Sequence, residues 1–258
     1  MEELAVERTD HVLLLTISRP QVGNALTPSL MERIGDAIIT AAADGTRAIV
    51  LTGEGERHFC TGVDMKSFAA ADSAGGSSLA DPFNSARRSV FEILAESDVP
   101  VIAAVNGTAL GAGFELVLAC DFAVASETAV MGAPEATRGM GGQFSSMMLP
   151  RRIPLALAMD MLLTGDPIDA QEAYRRGLVV CTAPPAKLLD VALARARTIA
   201  ANAPLSIKRI RRNVRRSREM PLSAALRLDE NPNPYLSEDR VEGFRAFVEK
   251  RPPEWKGR

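Results

Sequence analysis

The chain has 258 residues, 47% of them apolar, which is enough for one large core or a core with a helical appendage. Its formal net charge of −2 argues against a generic nucleic-acid binder. The three cysteines, Cys60, Cys120 and Cys181, are scattered with no CxxC spacing, as suits buried thiols in a reducing compartment. The opening through Asp10 is charged and holds no apolar stretch of a signal peptide, so a cytoplasmic location is expected.

In chain order, residues 12–17 read as a buried strand. Residues 28–43 read as a helix, with Thr27 as its cap and Pro28 in the first turn. A short buried strand is expected over 48–52. Residues 69–82 are rich in Ala, Gly and Ser and read as a mobile loop, followed by helical spacing over 83–95. A strand over 99–105, a helix over 113–120 and strands over 121–125 and 128–131 come next. Recurring strand–strand–helix units indicate an α/β layout. From about residue 186 the chain reads as helical throughout, with Pro204 and Pro221 each opening a helix. A boundary near 203 divides the chain into 1–202 and 203–258. The apolar run 99–120 contains Asn106, Glu115 and three glycines. It falls short of the ~18 uninterrupted apolar residues of a membrane span, and no membrane association is expected. The basic run from Lys208 to Arg218 reads as a solvated helix face.

The most informative stretch is 99–121. Its apolar opening is broken by Asn106 and Gly107. Gly111, Ala112 and Gly113 then allow a close backbone approach at a strand-to-helix junction. Glu115 falls in the first helical turn, where its charge favours the helix dipole. About twenty residues on, Gly132-Ala133-Pro134-Glu135 supplies a second carboxylate. Taken singly, Glu115 reads as a dipole-compensating surface residue and Glu135 as a turn residue. Together, backbone N–H donors beside two carboxylates are parts for enolate chemistry: donors for a developing oxyanion, and an acid/base pair.

Other chemistries lack their signatures. There is no GxSxG elbow, no Walker loop and no GxGxxG after a strand. The two histidines, His11 and His58, have no triad or metal-ligand pattern nearby and read as structural. Cys60 reads as a buried or lining thiol.

Motifs along nearly the full chain resemble those of the crotonase, or enoyl-CoA hydratase/isomerase, superfamily. They are Ile-Ser-Arg-Pro-Gln-Val-Gly-Asn-Ala-Leu-Thr (17–27), His-Phe-Cys-Thr-Gly-Val-Asp-Met-Lys (58–66), the stretch 104–121, Leu-Thr-Gly-Asp-Pro-Ile-Asp-Ala-Gln-Glu-Ala-Tyr-Arg-Arg-Gly-Leu-Val (163–179), and Glu242-Gly243 through Arg258. The resemblance implies a spiral ββα core over 1–202 and a C-terminal helical trimerisation domain over 203–258. It implies an oxyanion hole from the backbone N–H groups of Val63 and Ala112, the latter standing where the family commonly has glycine. It also implies that Glu115 and Glu135 hold one water between them. Two charges ~4 Å apart at an effective dielectric of ~20 repel by ~4 kcal/mol, or roughly three pKa units, so one of the pair holds a proton near neutrality.

Two glutamates favour hydration. The family's isomerases usually need only the one at position 135. The expected activity is therefore that of an enoyl-CoA hydratase. A carnitinyl-CoA dehydratase-like activity, an isomerase and a non-catalytic acyl-CoA-binding protein remain alternatives. Coenzyme A is part of the substrate, and its expected contacts are Lys66, Phe247 and Lys250. No cofactor or metal is implied. A homotrimer or homohexamer is expected, with the basic run offering charge to coenzyme A phosphates or to an acidic neighbouring subunit. Asp64 reads as a helix cap. The chain departs from the family pattern over 139–148, one residue short and with early glycines. Phe144 and Met140 are expected to line an acyl pocket there, with core packing as the other reading of Phe144.

Overall fold

The computed structural model describes residues 3–67, 88–227, 231 and 233–258. Strands β1 (Leu4–Thr9) and β2 (Val12–Ile17) form an antiparallel hairpin, and helix α1 (Pro28–Ala41) leads to β3 (Ala48–Gly53). The chain continues through β4 (His58–Cys60), α2 (Val90–Glu96), β5 (Val101–Val105), β6 (Thr108–Leu110) and α3 (Ala112–Ala119). Then come β7 (Phe122–Ser126), β8 (Val130–Gly132), a 3-10 turn Pro134–Arg138, α4 (Gln143–Met148) and α5 (Leu155–Thr164). Strands β9 (Ile168–Asp169) and β10 (Cys181–Ala183) flank α6 (Ala170–Arg175). Helices α7 (Leu188–Ala200), α8 (Pro204–Ser217), α9 (Leu222–Ala225) and α10 (Glu238–Glu249) complete the described chain.

A six-stranded sheet has the order β1-β2-β3-β5-β7-β10, and a four-stranded sheet the order β4-β6-β8-β9. From β2 to β10 every neighbouring pair of the larger sheet is parallel. Successive strands alternate between the sheets. β3, β5 and β7 enter the larger one, β4, β6 and β8 the smaller, and a helix follows each pair. That repeated advance is a ββα spiral, and it sets the ends of β4, β6 and β8 side by side.

The central strands β3 and β5 are buried along their whole length, so their side chains divide between two cores. Ile49, Leu51, Val101, Ala103 and Val105 face the interior that α1, α2 and α3 also enter. The intervening Ala48, Val50, Ile102 and Ala104 meet α7, which presents Leu188, Ala192, Ala196 and Ala200 at helical spacing. Each large aliphatic side chain so buried contributes about 1.5–3 kcal/mol.

Several boundaries differ from the sequence reading. β1 was not expected, because its outward face is charged: only Leu4 of the strand is buried. The three-residue strands β4 and β6 are too short to show a period. Within the described part of that stretch, helix α2 begins at Val90, where Ser89 and Glu92 form a capping box. The rest of the 83–95 reading, and the loop reading of 69–82, lie outside the described residues. The helix expected over 28–43 ends at Ala41, with the Thr27 hydroxyl accepting from Leu30 N at 3.1 Å as read. The strand expected over 128–131 is shifted to Val130–Gly132.

The basic run is a solvated face only in part: Arg216 and Arg218 are exposed, while Lys208, Arg211, Arg212 and Arg215 bind the core. Lys208 and Arg212 of α8 bind Asp98 at 2.7 and 2.8 Å, and Arg211 binds Asp121 at 2.6 Å. Arg211 and Arg215 also donate to Leu94 O and Ala95 O at the end of α2. These half-buried pairs fasten the C-terminal helix to the strand ends beneath it. Asp98 is held below its usual carboxylate value: burial pushes it up, and the Arg212 and Lys208 bonds outweigh that.

Candidate functional site

The smaller sheet aims two backbone segments at one another. Asn106 holds them from behind: its Oδ1 accepts from Gly53 N at 3.0 Å, and its Nδ2 donates to Gly55 O at 2.8 Å and His58 O at 3.0 Å. Beyond β4, Leu26 N donates to Gly62 O and Asp64 N donates to Leu26 O, both at 2.8 Å. In this bridge the neighbours of Val63 face Leu26, which leaves the N–H of Val63 on the opposite side. Beyond β6, Gly111 turns the chain in a conformation with φ 55° and becomes the N-cap of α3. Ala112 is the first residue of that helix, where N–H groups have no partner within the helix.

The two segments are in close approach. A Cβ on Gly62 would lie 3.8 Å from Ala112 N, and one on Gly111 would lie 4.0 Å from Gly62 Cα. Gly113 admits no side chain at all: a Cβ there would sit 2.0 Å from Cys60 O. The glycines of 111–113 therefore let the helix start rest directly on the β4 backbone.

Two carboxyl groups close the site. Glu115, in the first turn of α3, is 8% exposed, and its Oε1 accepts from Ser145 N at 2.9 Å. Glu135 lies in the 3-10 turn, half-buried, with its Oε2 buried and unpartnered. A Cβ on Gly111 would lie 3.7 Å from Glu135 Oε1. On the other side, a Cβ on Gly142 would lie 3.3 Å from Glu135 Cδ and 2.7 Å from Ser145 Oγ. Gly142 also has φ 53°, so both its backbone and its surroundings demand glycine.

The electrostatics follow from this burial. Desolvation raises the Glu115 pKa above its usual value, against the lowering effect of the Ser145 N–H and hydroxyl and the Phe144 N–H. Desolvation also raises the Glu135 pKa, and the negative charge of Glu115 raises it further. Each carboxyl thus holds its proton more tightly than a solvated one, and Glu135 senses the charge of Glu115. Cys60, fully buried beneath the site, has its thiol pushed up to about 12 by burial, which makes it inert.

Sequence reasoning did not find three features of this cluster. Ser145 and Gly142 sit in the departing loop, where nothing in the local pattern announces a bond across thirty residues to Glu115. Arg152 is the third. Its guanidinium donates to Leu118 O at 2.9 Å, Cys120 O at 2.6 Å and Asp121 O at 3.1 Å, capping the C-terminal end of α3.

The structure distributes the remaining expected site residues widely. Lys66 is exposed just after Asp64, which binds Arg19 at 3.0 Å and accepts from Ser67 N at 3.3 Å as a cap. Met140 is half-buried and donates its N–H to Glu135 O at 3.0 Å, closing the turn that carries Glu135. Phe144 is 7% exposed and stacks on Phe91 with ring centroids 5.3 Å apart, among the core residues. That packing favours the core reading of Phe144 over the acyl-pocket one. Phe247 is 84% exposed on α10, and Lys250 ends that helix in a left-handed conformation. The contacts that knit the glutamate cluster together include neither. Among the described residues no group of three or more His, Cys, Asp or Glu side chains could hold a metal ion. No helix among them is long and apolar enough to cross a membrane.

Comparison with known proteins agrees with this geometry. The family model described as enoyl-CoA hydratase/isomerase matches residues 7–258. The chain is 38% identical to the 2,3-dehydroadipyl-CoA hydratase of Escherichia coli K12, with all of both chains covered. It is 36% identical to the (E)-benzylidenesuccinyl-CoA hydratase of Thauera aromatica, covering 98% of this chain and 99% of that one. Among solved structures, the enoyl-CoA hydratase from Bacillus anthracis superposes with a TM-score of 0.91 at 32% identity, with both chains fully covered. The ββα spiral, the paired glutamates at a glycine-rich helix start and the full-length match together place this chain in the enoyl-CoA hydratase/isomerase family.

Proposed function

We propose that the chain is an enoyl-CoA hydratase, adding water reversibly across the 2,3 double bond of an enoyl-CoA thioester. One observation carries the reading: a buried and a half-buried carboxyl group, both with raised pKa, flank the glycine-rich start of α3, and one oxygen of Glu135 is left without a partner. An orphaned buried acceptor costs about 1–3 kcal/mol, and a water or substrate group placed between the two glutamates would satisfy it.

The N–H groups of Val63 and Ala112 receive the thioester oxygen. The positive end of α3 adds to them, and negative charge on that oxygen is stabilised as the enolate forms. One carboxylate accepts a proton from water while the water oxygen bonds to the β-carbon. The α-carbon then takes a proton from the other carboxyl, or from the same acid relayed. The net change is OH on one carbon and H on the other. Glu135 is raised by the charge of Glu115 as well as by burial, and a pair whose environments differ in this way can supply one acid and one base at the same pH.

Lys66, Phe247 and Lys250 are proposed to hold the coenzyme A moiety. The exposed apolar face of α10 and the turn before it, with Leu236, Phe244, Phe247 and Val248 all more than half exposed, supports self-assembly, which we propose as a homotrimer or homohexamer, with a cytoplasmic location part of the same proposal. The relatives' names carry different acyl groups, and the acyl group taken here is left to the assay. Crotonyl-CoA and longer enoyl-CoAs are incubated with the protein, and loss of the conjugated thioester absorbance is followed. Loss of absorbance is expected. Tight acyl-CoA binding with no loss at any chain length would assign the chain to the non-catalytic acyl-CoA-binding alternative.

A further inference from the structure

Ser145 is a fully buried polar residue in the loop that departs from the family pattern, bonded to Glu115 on one side and to Gly142 on the other. Its N–H fixes Glu115 Oε1 at 2.9 Å. Its hydroxyl donates to Gly142 O at 2.9 Å, and Gly142 is the glycine on which a Cβ would crowd the Glu135 carboxyl. A serine hydroxyl has one proton and can also accept. The hydroxyl donates to the Gly142 carbonyl and also lowers the Glu115 pKa by favouring its charged form, and its one proton cannot serve both acceptors at once.

We propose that Ser145 is the positioning residue of Glu115, its N–H locking one carboxyl oxygen in place while its hydroxyl turns between Gly142 O and the carboxylate as Glu115 gains and loses its proton. This inference rests on the hydratase reading and names how that site holds its buried acid. With Glu115 protonated, the acid donates to Ser145 Oγ and the hydroxyl donates to Gly142 O. With Glu115 ionised, the hydroxyl proton swings to the carboxylate and Gly142 O is released. No proton leaves the serine in either state. The hydroxyl supplies a bond to the charged form that a methyl group cannot, which keeps a buried carboxylate accessible as a base. The alternative is a purely structural hydroxyl, bonded back to Gly142 to hold the first turn of α4.

The two roles separate in Ser145→Ala. The test is a carbon-13 NMR titration of the Glu115 carboxyl, assigned by its disappearance in Glu115→Gln, together with the pH profile of kcat/KM on crotonyl-CoA. The proposal expects the Glu115 pKa to rise by about one unit in Ser145→Ala, as befits loss of one bond to a charged group. The acid limb of kcat/KM should move with it, and kcat should fall about tenfold while KM stays within about twofold. Ser145→Cys keeps the volume with a weaker donor and should raise the pKa in the same direction, which keeps the test open if the alanine variant does not fold. A lowered melting temperature with an unmoved Glu115 pKa in either folded variant overturns the proposal. Failure of the hydratase reading shows separately, as a wild-type protein inert toward every enoyl-CoA, and the NMR titration decides the role of Ser145 in that case too.

Discussion

The two ends of helix Ala112–Ala119 are treated in opposite ways. At its C-terminal end two arginines act as anchors: Arg152 donates to three carbonyls, and Asp121 takes Arg211 at 2.6 Å and Val101 N at 2.7 Å, although Arg152 Nε and Arg211 Nη1 are buried without a partner. At its N-terminal end a carboxyl oxygen of Glu135 has no partner and two carboxyl groups have raised pKa values. The same eight-residue helix ends on carbonyls held by charged donors where nothing reacts, and starts beside an unpartnered carboxyl oxygen where the chemistry is proposed. An anchored far end is what lets the near end carry a local cost without shifting, the pattern expected where a fold gives up local satisfaction at its functional site.

That contrast can be broken first through the core packed around the helix and then through its anchored end. The largest loss is expected from Phe144→Ala, which removes the ring stacked on Phe91 between α2 and α4. A core ring deleted this way costs about 3–5 kcal/mol. Urea denaturation reads the loss, and an accompanying chain-length profile on enoyl-CoAs should stay unchanged. A stable variant with altered chain-length preference would return Phe144 to the acyl pocket. Arg152→Met comes next. It leaves three helix-end carbonyls without their charged donor and should cost roughly 3 kcal/mol in the same measurement. A neutral outcome would mean that the C-terminal anchor does not hold the helix.

The open side predicts the reverse sign. Burial, and then the charge of Glu115, raise the Glu135 pKa, so the folded state binds its proton more tightly than the unfolded state does. Stability from this group is fully present below the usual carboxylate range and is lost as pH rises through the raised folded value. Glu135→Gln should therefore match the wild type at acid pH and melt at a higher temperature at neutral pH. A neutral-pH melting temperature below that of the wild type would show that the ionised carboxylate has partners that stabilise it. The smallest effect is expected at Lys66, exposed and distant in role from the proton transfers. Lys66→Ala should raise KM by about threefold with kcat unchanged, as befits a solvated charge. A fall in kcat would place Lys66 in the chemistry.

What the sequence disclosed and what it concealed divide along the same physical line. Glu115, Glu135, Asn106 and the glycines of 107–113 were legible because a strand-breaking Asn-Gly pair, a small-residue junction and a carboxylate in a first helical turn are all local patterns. The buried central strands were legible from their β-branched runs. β4 and β6 were not, since three residues show no period. The start of α2 carried a readable signal in Ser89 and Glu92, a capping box that the apolar spacing upstream obscured. Ser145 and Arg152 were beyond reach, because each acts through bonds to residues about thirty positions away. The basic run misled for the same reason: its partners, Asp98 and Asp121, lie about a hundred residues earlier in the chain.

The central claim is that the two carboxyl groups at the open end of the helix perform the hydration together. The most direct test is kcat for crotonyl-CoA hydration by Glu115→Gln and Glu135→Gln, each nearly isosteric and each compared at a pH where its melting temperature is no lower than that of the wild type. The account predicts that either change alone lowers kcat by at least ~10²-fold, the lower range for general acid–base catalysis. Near-normal turnover by either variant would contradict it.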